Sequence, residues 1–468
     1  MRLSRACLMF GLVFCLPVVS WAVGAVTAEV DQTLGLAALR QQTGLTGAGV
    51  TIGIIGEGIY DWRNYIESGD LPADIRFLDW QEGNGLNLGH VQVIHDIAPN
   101  AELLFGVYGG GPSDTITQDM VSQGANIILV MNHVEPYTNL YEDTWRSYTR
   151  EVGKTSLIIS PAGDYGNAHY RGTFTDSGNG EHDFGNGNTV VEIQTPPGCS
   201  TRMFLGWSET FTTPIYSDYR MRLYTSDHQL WSEVTSGSYP LASVWDTEHT
   251  ETIIWYVSVW KAANAPVLPF DVRAKCDFPG PVGGLSTTID PAYRIDKGSI
   301  VDFGALPEVL TVGALDQTTE VAPGRYAVRP YSGRGPAEIT IPSTEVRPKP
   351  DIMAPDCQSV YGNNGIETGT FVDCGSSISA AVVAGIAALV QEKQGFVHTV
   401  DIKALLTGTA ADLEAPGFDG VSGYGQIDPA AALVLPRVPV SAAWTVLAML
   451  LGVSASIRAN VSTVAIRS

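Results

Sequence analysis

Short apolar runs alternate with segments of mixed polarity through the first third of the chain. VTIGIIG (50–56), AELLFGVYG (101–109), ANIILVMN (125–132) and TSLIISPAG (155–163) are apolar at successive positions. A run apolar on both faces predicts a strand buried within a parallel sheet. Between them, VQVIHDIAP (91–99) predicts a helix. The alternation predicts an α/β fold with a doubly wound, mostly parallel sheet and helices on both faces. At about Tyr170 the pattern changes. From there to about Gly280, stretches such as RMFLGW, YRMRLYTS and ETIIWYVSVW alternate in polarity and are rich in Gly, Thr, Tyr and Trp. That period predicts an antiparallel β-sandwich inserted into the α/β core. Afterwards EVLTVGALD, KPDIMAP, the alanine-rich run to Val390 and VDIKALLTGTA restore the α/β pattern. The expected division is core at 41–169, sandwich at 170–280 and core again at 281–436.

Both ends are apolar in a different way. Arg2 and Arg5 precede an uncharged stretch from Ala6 to about Ala25 that closes near Val26-Thr27-Ala28, the layout of a secretory signal peptide over residues 1–28. Near the other end, VPVSAAWTVLAMLLGVSASI lies uncharged between Arg437 and Arg458. Residues 438–457 are long enough to cross a bilayer as a helix, the alternative being a buried core helix. These ends predict a protein of the bacterial envelope, secreted or at the cell surface, tethered to the membrane or sorted by its tail.

Composition narrows the partners. A formal charge of -22 and a pI near 4.6 argue against nucleic acid and anionic lipid, since phosphate would be repelled. Cys7 and Cys15 leave with the signal peptide, and Cys199, Cys276, Cys357 and Cys374 remain in a compartment that permits disulfides. Proximity in sequence favours Cys199 with Cys276 and Cys357 with Cys374, the other two connectivities staying open. The cysteine spacings do not match a zinc site. Nothing in the sequence reads out an oligomeric state.

The stretch GTFVDCGSSISAAVVAGIAALV (369–390) opens a helix with a Gly-Ser-Ser turn. Ser377 there is either a nucleophile at a helix N-terminus or, with Ser376, a cap. Around it, LTGAGVTIGIIGEGIYDW, VIHDIAPNAELLFG, SPAGDYG, PEVLTVGALD, YSGRGP, KPDIMAPD and GFDGVSGYGQIDPAAAL follow in order. Together these blocks resemble the subtilases, the subtilisin-like serine peptidases, over most of residues 41–435. The resemblance implies a serine endopeptidase acting on peptide or protein, with Ser377 as nucleophile. Such chemistry needs a base, a carboxylate to orient it, and donors for the oxyanion.

The partners depart from the family's pattern. Glu57 stands where relatives carry aspartate, with Asp61 the weaker candidate, and its extra methylene displaces the carboxylate. Counting back from His95-Asp96-Ile97-Ala98-Pro99, the catalytic histidine falls on Leu86, followed by Asn87 and Leu88. His90, one helical turn on, is the replacement base to consider, against a structural histidine on a helix; His95 belongs to the landmark and reads as structural. Asp164 takes the place of the oxyanion asparagine, a position similar to that of the sedolisins, acid-acting relatives. Kept neutral, a carboxyl there can donate to an oxyanion. The sedolisin glutamate and aspartate pair would fall on Leu86 and His90 and is absent. Between the signal peptide and the first strand only about twenty residues remain, fewer than the propeptide typical of secreted subtilases.

These departures leave two alternatives to a working peptidase: an inactive pseudoprotease that binds peptide or protein, and an adhesion module in which exposed Trp and Tyr of the sandwich take glycans. Many subtilases bind calcium, but Asp183, Asn186 and Asn188 make too weak a cluster to assign, so no metal or cofactor is placed.

Overall fold

The computed structural model describes residues 24–434 except 60–61, 79–87, 108–114, 132–148, 210–216, 236–239, 248, 279–285, 301, 364–367 and 396–398. Leu86, Asn87, Asp61 and the apolar tail at 438–457 lie outside the described residues. Among the described residues no helix is long and apolar enough to cross a membrane.

An amino-terminal arm carries helices α1 (Val30–Thr33) and α2 (Leu36–Thr43). The α/β core then begins with strand β1 (Thr51–Gly56) and helix α3 (Trp62–Glu67), followed by β2 (Arg76–Phe77), α4 (Leu88–Ile97), β3 (Glu102–Val107), α5 (Ile116–Ser122), β4 (Ile127–Val130) and β5 (Leu157–Pro161). The sandwich strands are β6 (His169–Thr173), β7 (Val191–Thr195), β8 (Ser200–Trp207), β9 (Tyr219–Tyr224), β10 (Leu230–Thr235), β11 (Leu241–Trp245), β12 (Ile253–Lys261), β13 (Pro269–Phe278) and β14 (Thr288–Ile289). The core resumes with β15 (Leu310–Ala322), β16 (Arg325–Val328), the pair β17 (Ala337–Ile339) and β18 (Glu345–Arg347), β19 (Ile352–Pro355), the hairpin β20 (Gln358–Asn363) and β21 (Thr368–Asp373), and the Ser377 helix, Ser376–Gln394. Helices Thr399–Gly408 and Pro429–Val434 follow.

The large sheet runs β16-β15-β5-β4-β1-β3-β2, with β19 also on β15. All its pairings are parallel except β15 with β16. This is the doubly wound α/β architecture that the apolar runs predict, and the burial shows why: all six residues of β1 and all four of β4 are buried. The Ser377 helix is buried on nearly every side, which its alanines and Gly385 permit. Gly385 has no room for a side chain, since a Cβ there would stand 2.8 Å from Ile97 Cβ on α4.

Antiparallel sheets β10-β9-β12-β7-β14 and β11-β8-β13-β6 enclose a second core around Ile193, Leu205, Trp207, Met221, Leu223, Val257 and Val272. Alternation is visible in β9, where every second residue is buried. It is lost in β8, which is buried at seven of eight positions. Phe204 there turns away from the sandwich interior to pack with Tyr165 and Leu241, so this face abuts the α/β core. Trp231 and Trp245 are exposed, while Trp207 and Trp255 belong to the interior. Both disulfides join the cysteines that proximity pairs, Cys199–Cys276 and Cys357–Cys374.

The arm carries residues on both sides of the expected leader boundary at residue 28. Ala28 and Val30 are fully buried, and the Ala28 N–H donates to Asp96 Oδ2 at 2.8 Å. Ala28 is thus packed into the domain, through a contact across 68 positions that local composition does not encode.

Candidate active site

Ser377 lies in the first turn of its helix, and from Cys374 to Val390 it is the one residue that is not buried. The first N–H groups of a helix have no intrahelical acceptor. Here Asp164 Oδ1 takes the Ser376 N–H at 2.8 Å, and Ser376 Oγ accepts the Gly163 N–H at 3.1 Å. Among the described residues the Ser377 N–H has no acceptor, so it remains available to a ligand. Glu57 follows β1 directly and Asp164 lies three residues past the end of β5, so both stand at the carboxyl ends of parallel strands, where α/β sheets bind ligands.

Gly375 joins the two groups. Its φ of 123° is one that side chains rarely adopt, and a Cβ on it would stand 3.1 Å from Asp164 Oδ2 and 3.5 Å from Ser377 Oγ. The aspartate and the serine therefore flank one small space. Desolvation is the main force on Asp164, raising its pKa against the lowering effect of its bonds to Ser376.

Two contacts align α4 with the Ser377 helix. At one end Gly89 sits against Asp373 Oδ2, four residues ahead of Ser377; at the other Ile97 sits against Gly385. The helices consequently run side by side in the same direction, and His90 is at the end occupied by Ser377. His90 is buried, as is His95, whose pKa burial lowers to about 4, so that it stays neutral. Glu57 is partly buried. The structure thus brings Asp164 and Ser377 together and sets His90 at their end of the molecule, with Glu57 on the neighbouring strand end. The position matched to the usual histidine, Leu86, is not among the described residues.

Two features of the site escape sequence reading. Asp373, partly exposed, is raised to about 7, first by desolvation and also by Asp164. Asp356 is buried with Arg329 Nε at 2.9 Å and the Tyr331 hydroxyl as donors, and desolvation still raises it to about 6. The Cys357–Cys374 disulfide then ties the residue after Asp356 to the residue before Gly375. Their only sequence sign is adjacency, Asp356 to Cys357 and Asp373 to Cys374. Among the described residues no cluster of His, Cys, Asp or Glu fits a metal ion.

Residues 284–425 match the model of the subtilase family, which spans the Ser377 turn. That match covers 142 of the 468 residues, and over them the chain is similar to the subtilases. A curated relative, Mycosin-5 of Mycobacterium tuberculosis, is 33% identical over 179 residues, covering 37% of this chain and 26% of the mycosin. The aligned part thus spans about a quarter of that relative's length. In fold, the chain is similar to the CspB protease of Clostridium perfringens, at a TM-score of 0.51 and 16% identity over 86% of this chain and 96% of that one. MycP1 from Mycobacterium smegmatis aligns over 90% of this chain and 89% of its own, at a TM-score of 0.39 and 16% identity.

Proposed function

We propose that this chain is a secreted, subtilisin-like serine endopeptidase with a degenerate, rearranged site, hydrolysing peptide bonds with Ser377 as nucleophile. The observation that carries the reading is the lone surfacing of Ser377 within an otherwise buried turn and helix. Attack of its hydroxyl on a peptide carbonyl forms the acyl-enzyme and expels the amine, and water then releases the acid. His90 is the base of this reading and Glu57 its orienter. The Ser377 N–H and the neutral form of Asp164 supply hydrogen bonds to the oxyanion, for which the raised Asp164 pKa provides support. The substrate class is peptide or protein. Secretion and attachment to the envelope rest on the two apolar ends of the sequence.

A fluorophosphonate should label Ser377 across part of the range pH 3 to 9, and Ser377→Ala should abolish labelling. Folded protein that stays unlabelled throughout would refute catalysis and favour a second reading, a pseudoprotease whose cleft binds peptide. That reading draws on one observation: Asp164 already holds the Ser376 N–H, closing one donor at the helix end to a ligand. Under it, Leu86→His with Asp164→Asn should create labelling where there was none.

A further inference from the structure

The amino-terminal arm is held by side-chain acceptors rather than by a sheet. Asp70 Oδ1 accepts the N–H groups of both Ala25 (2.9 Å) and Val26 (3.2 Å), and Asp70 is 3% exposed. Its other oxygen accepts the Ser68 hydroxyl. Further along, Asp96 takes the Ala28 N–H, Gln358 Oε1 takes the Val30 N–H at 2.7 Å, and Glu29 takes the Ser359 N–H at 2.6 Å. Four successive side chains thus fix the register of residues 25–30. Removal of everything through Ala28 would strip both backbone donors from Asp70 and the donor from Asp96. Two buried carboxyls would lose these partners, a costly outcome.

The sequence offers small residues at two places for a leader-processing endopeptidase, Gly24-Ala25 and Ala28. We propose that the leader is cut at the Gly24–Ala25 or Ala25–Val26 bond, and that the α-ammonium so created pairs with the buried carboxylate of Asp70. The inference rests on reading the first residues as a secretory leader. Hydrolysis adds one water across the amide, leaving a carboxylate on the leader and an amine on the domain, which takes up a proton. The nitrogen that becomes charged already lies within hydrogen-bond distance of Asp70 in the uncut chain, so the ion pair forms without rearrangement. An ion pair then replaces a bond in which only the acceptor is charged.

The full-length chain, expressed in a secreting bacterial host, is to be purified and its amino terminus sequenced. A start at Ala25 or Val26 is expected. A start at Glu29, or anywhere other than those two positions, overturns the inference while leaving the leader reading intact; an unprocessed Met1 overturns both. Within correctly processed protein, Asp70→Asn should lower Tm by about 4 °C. A form with two residues added ahead of Gly24 keeps both N–H donors but lacks the ammonium there. It should melt lower than the processed protein, and Asp70→Asn should erase that difference. Equal loss from Asp70→Asn in both forms overturns the ion pair.

Discussion

Gly375 is the residue on which the geometry of the site turns. Ala at this position would force a strained backbone and crowd both Asp164 Oδ2 and Ser377 Oγ. Gly375→Ala should cost about 1–3 kcal/mol in chemical denaturation and slow fluorophosphonate labelling more than the stability loss explains. Asp164→Asn should preserve the bond to the Ser376 N–H through its amide oxygen while removing an ionisable group. Labelling above pH 7 should then rise relative to the parent, and an unchanged pH profile would separate Asp164 from the chemistry. At this scale the sequence was partly legible. Ser377 stood out because a Gly-Ser-Ser turn opens an apolar helix, and Asp164 because it closes a strand block. Asp373 and Asp356 gave no such sign, since what perturbs them is burial contributed by residues far along the chain. His90 was nameable, but its placement at the Ser377 end depends on Gly89 meeting Asp373, a contact that no local pattern announces.

Among the elements, the hairpin β20–β21 has the most direct hold on the nucleophile turn. Tyr361 in its first strand exchanges two hydrogen bonds with Gln92 of α4, and the Cys357–Cys374 bridge closes its base. A bridge spanning 17 positions restrains the unfolded chain by about 3 kcal/mol. Cys357→Ser with Cys374→Ser should therefore lower stability by about that amount, measured by urea unfolding, and should also reduce the labelling rate of the folded protein. Elsewhere the arm's Arg40 forms a buried pair with Asp31 at 2.6 Å. Removing Arg40 alone, as in Arg40→Met, should cost about 3–5 kcal/mol by stranding the carboxylate, whereas replacing both partners should cost much less. The strands of the large sheet were legible because burial on both faces forces apolar runs, and α4 followed from its periodicity. The hairpin and the arm were not, because polar side chains 45 to 328 positions away hold them.

For the molecule as a whole, two sets of buried groups oppose each other as pH changes. Asp96 is raised to about 8, Asp373 to about 7 and Asp356 to about 6, each first by desolvation, so the native state holds protons that the unfolded chain has lost. Stability from these groups is present at acid pH and falls as pH rises through those values. Burial lowers His95 and His182 to about 4 and His169 to about 3, so below about 6.5 the unfolded chain binds more protons at these sites. Above that value Lys349, which burial lowers to about 7, acts in the opposite sense, one group against the two carboxyls at about 7 and 8. Tm should accordingly be higher at pH 6.5 than at pH 8.5, a difference that differential scanning calorimetry reads directly; a higher Tm at pH 8.5 would contradict this balance. The sandwich raises a separate matter of connectivity. Its entry and exit lie side by side, because Ile289 N–H donates to Asn167 O at 3.0 Å and Ile295 N–H to His169 O at 2.8 Å. A linker of about three residues would span Asn167 to Ile289, and excision would uncover Tyr165, which packs on Phe204 of the insertion. Glu57, Asp164 and Ser377 all sit outside the insertion, so shortening the chain in this way leaves every residue of the candidate site in place.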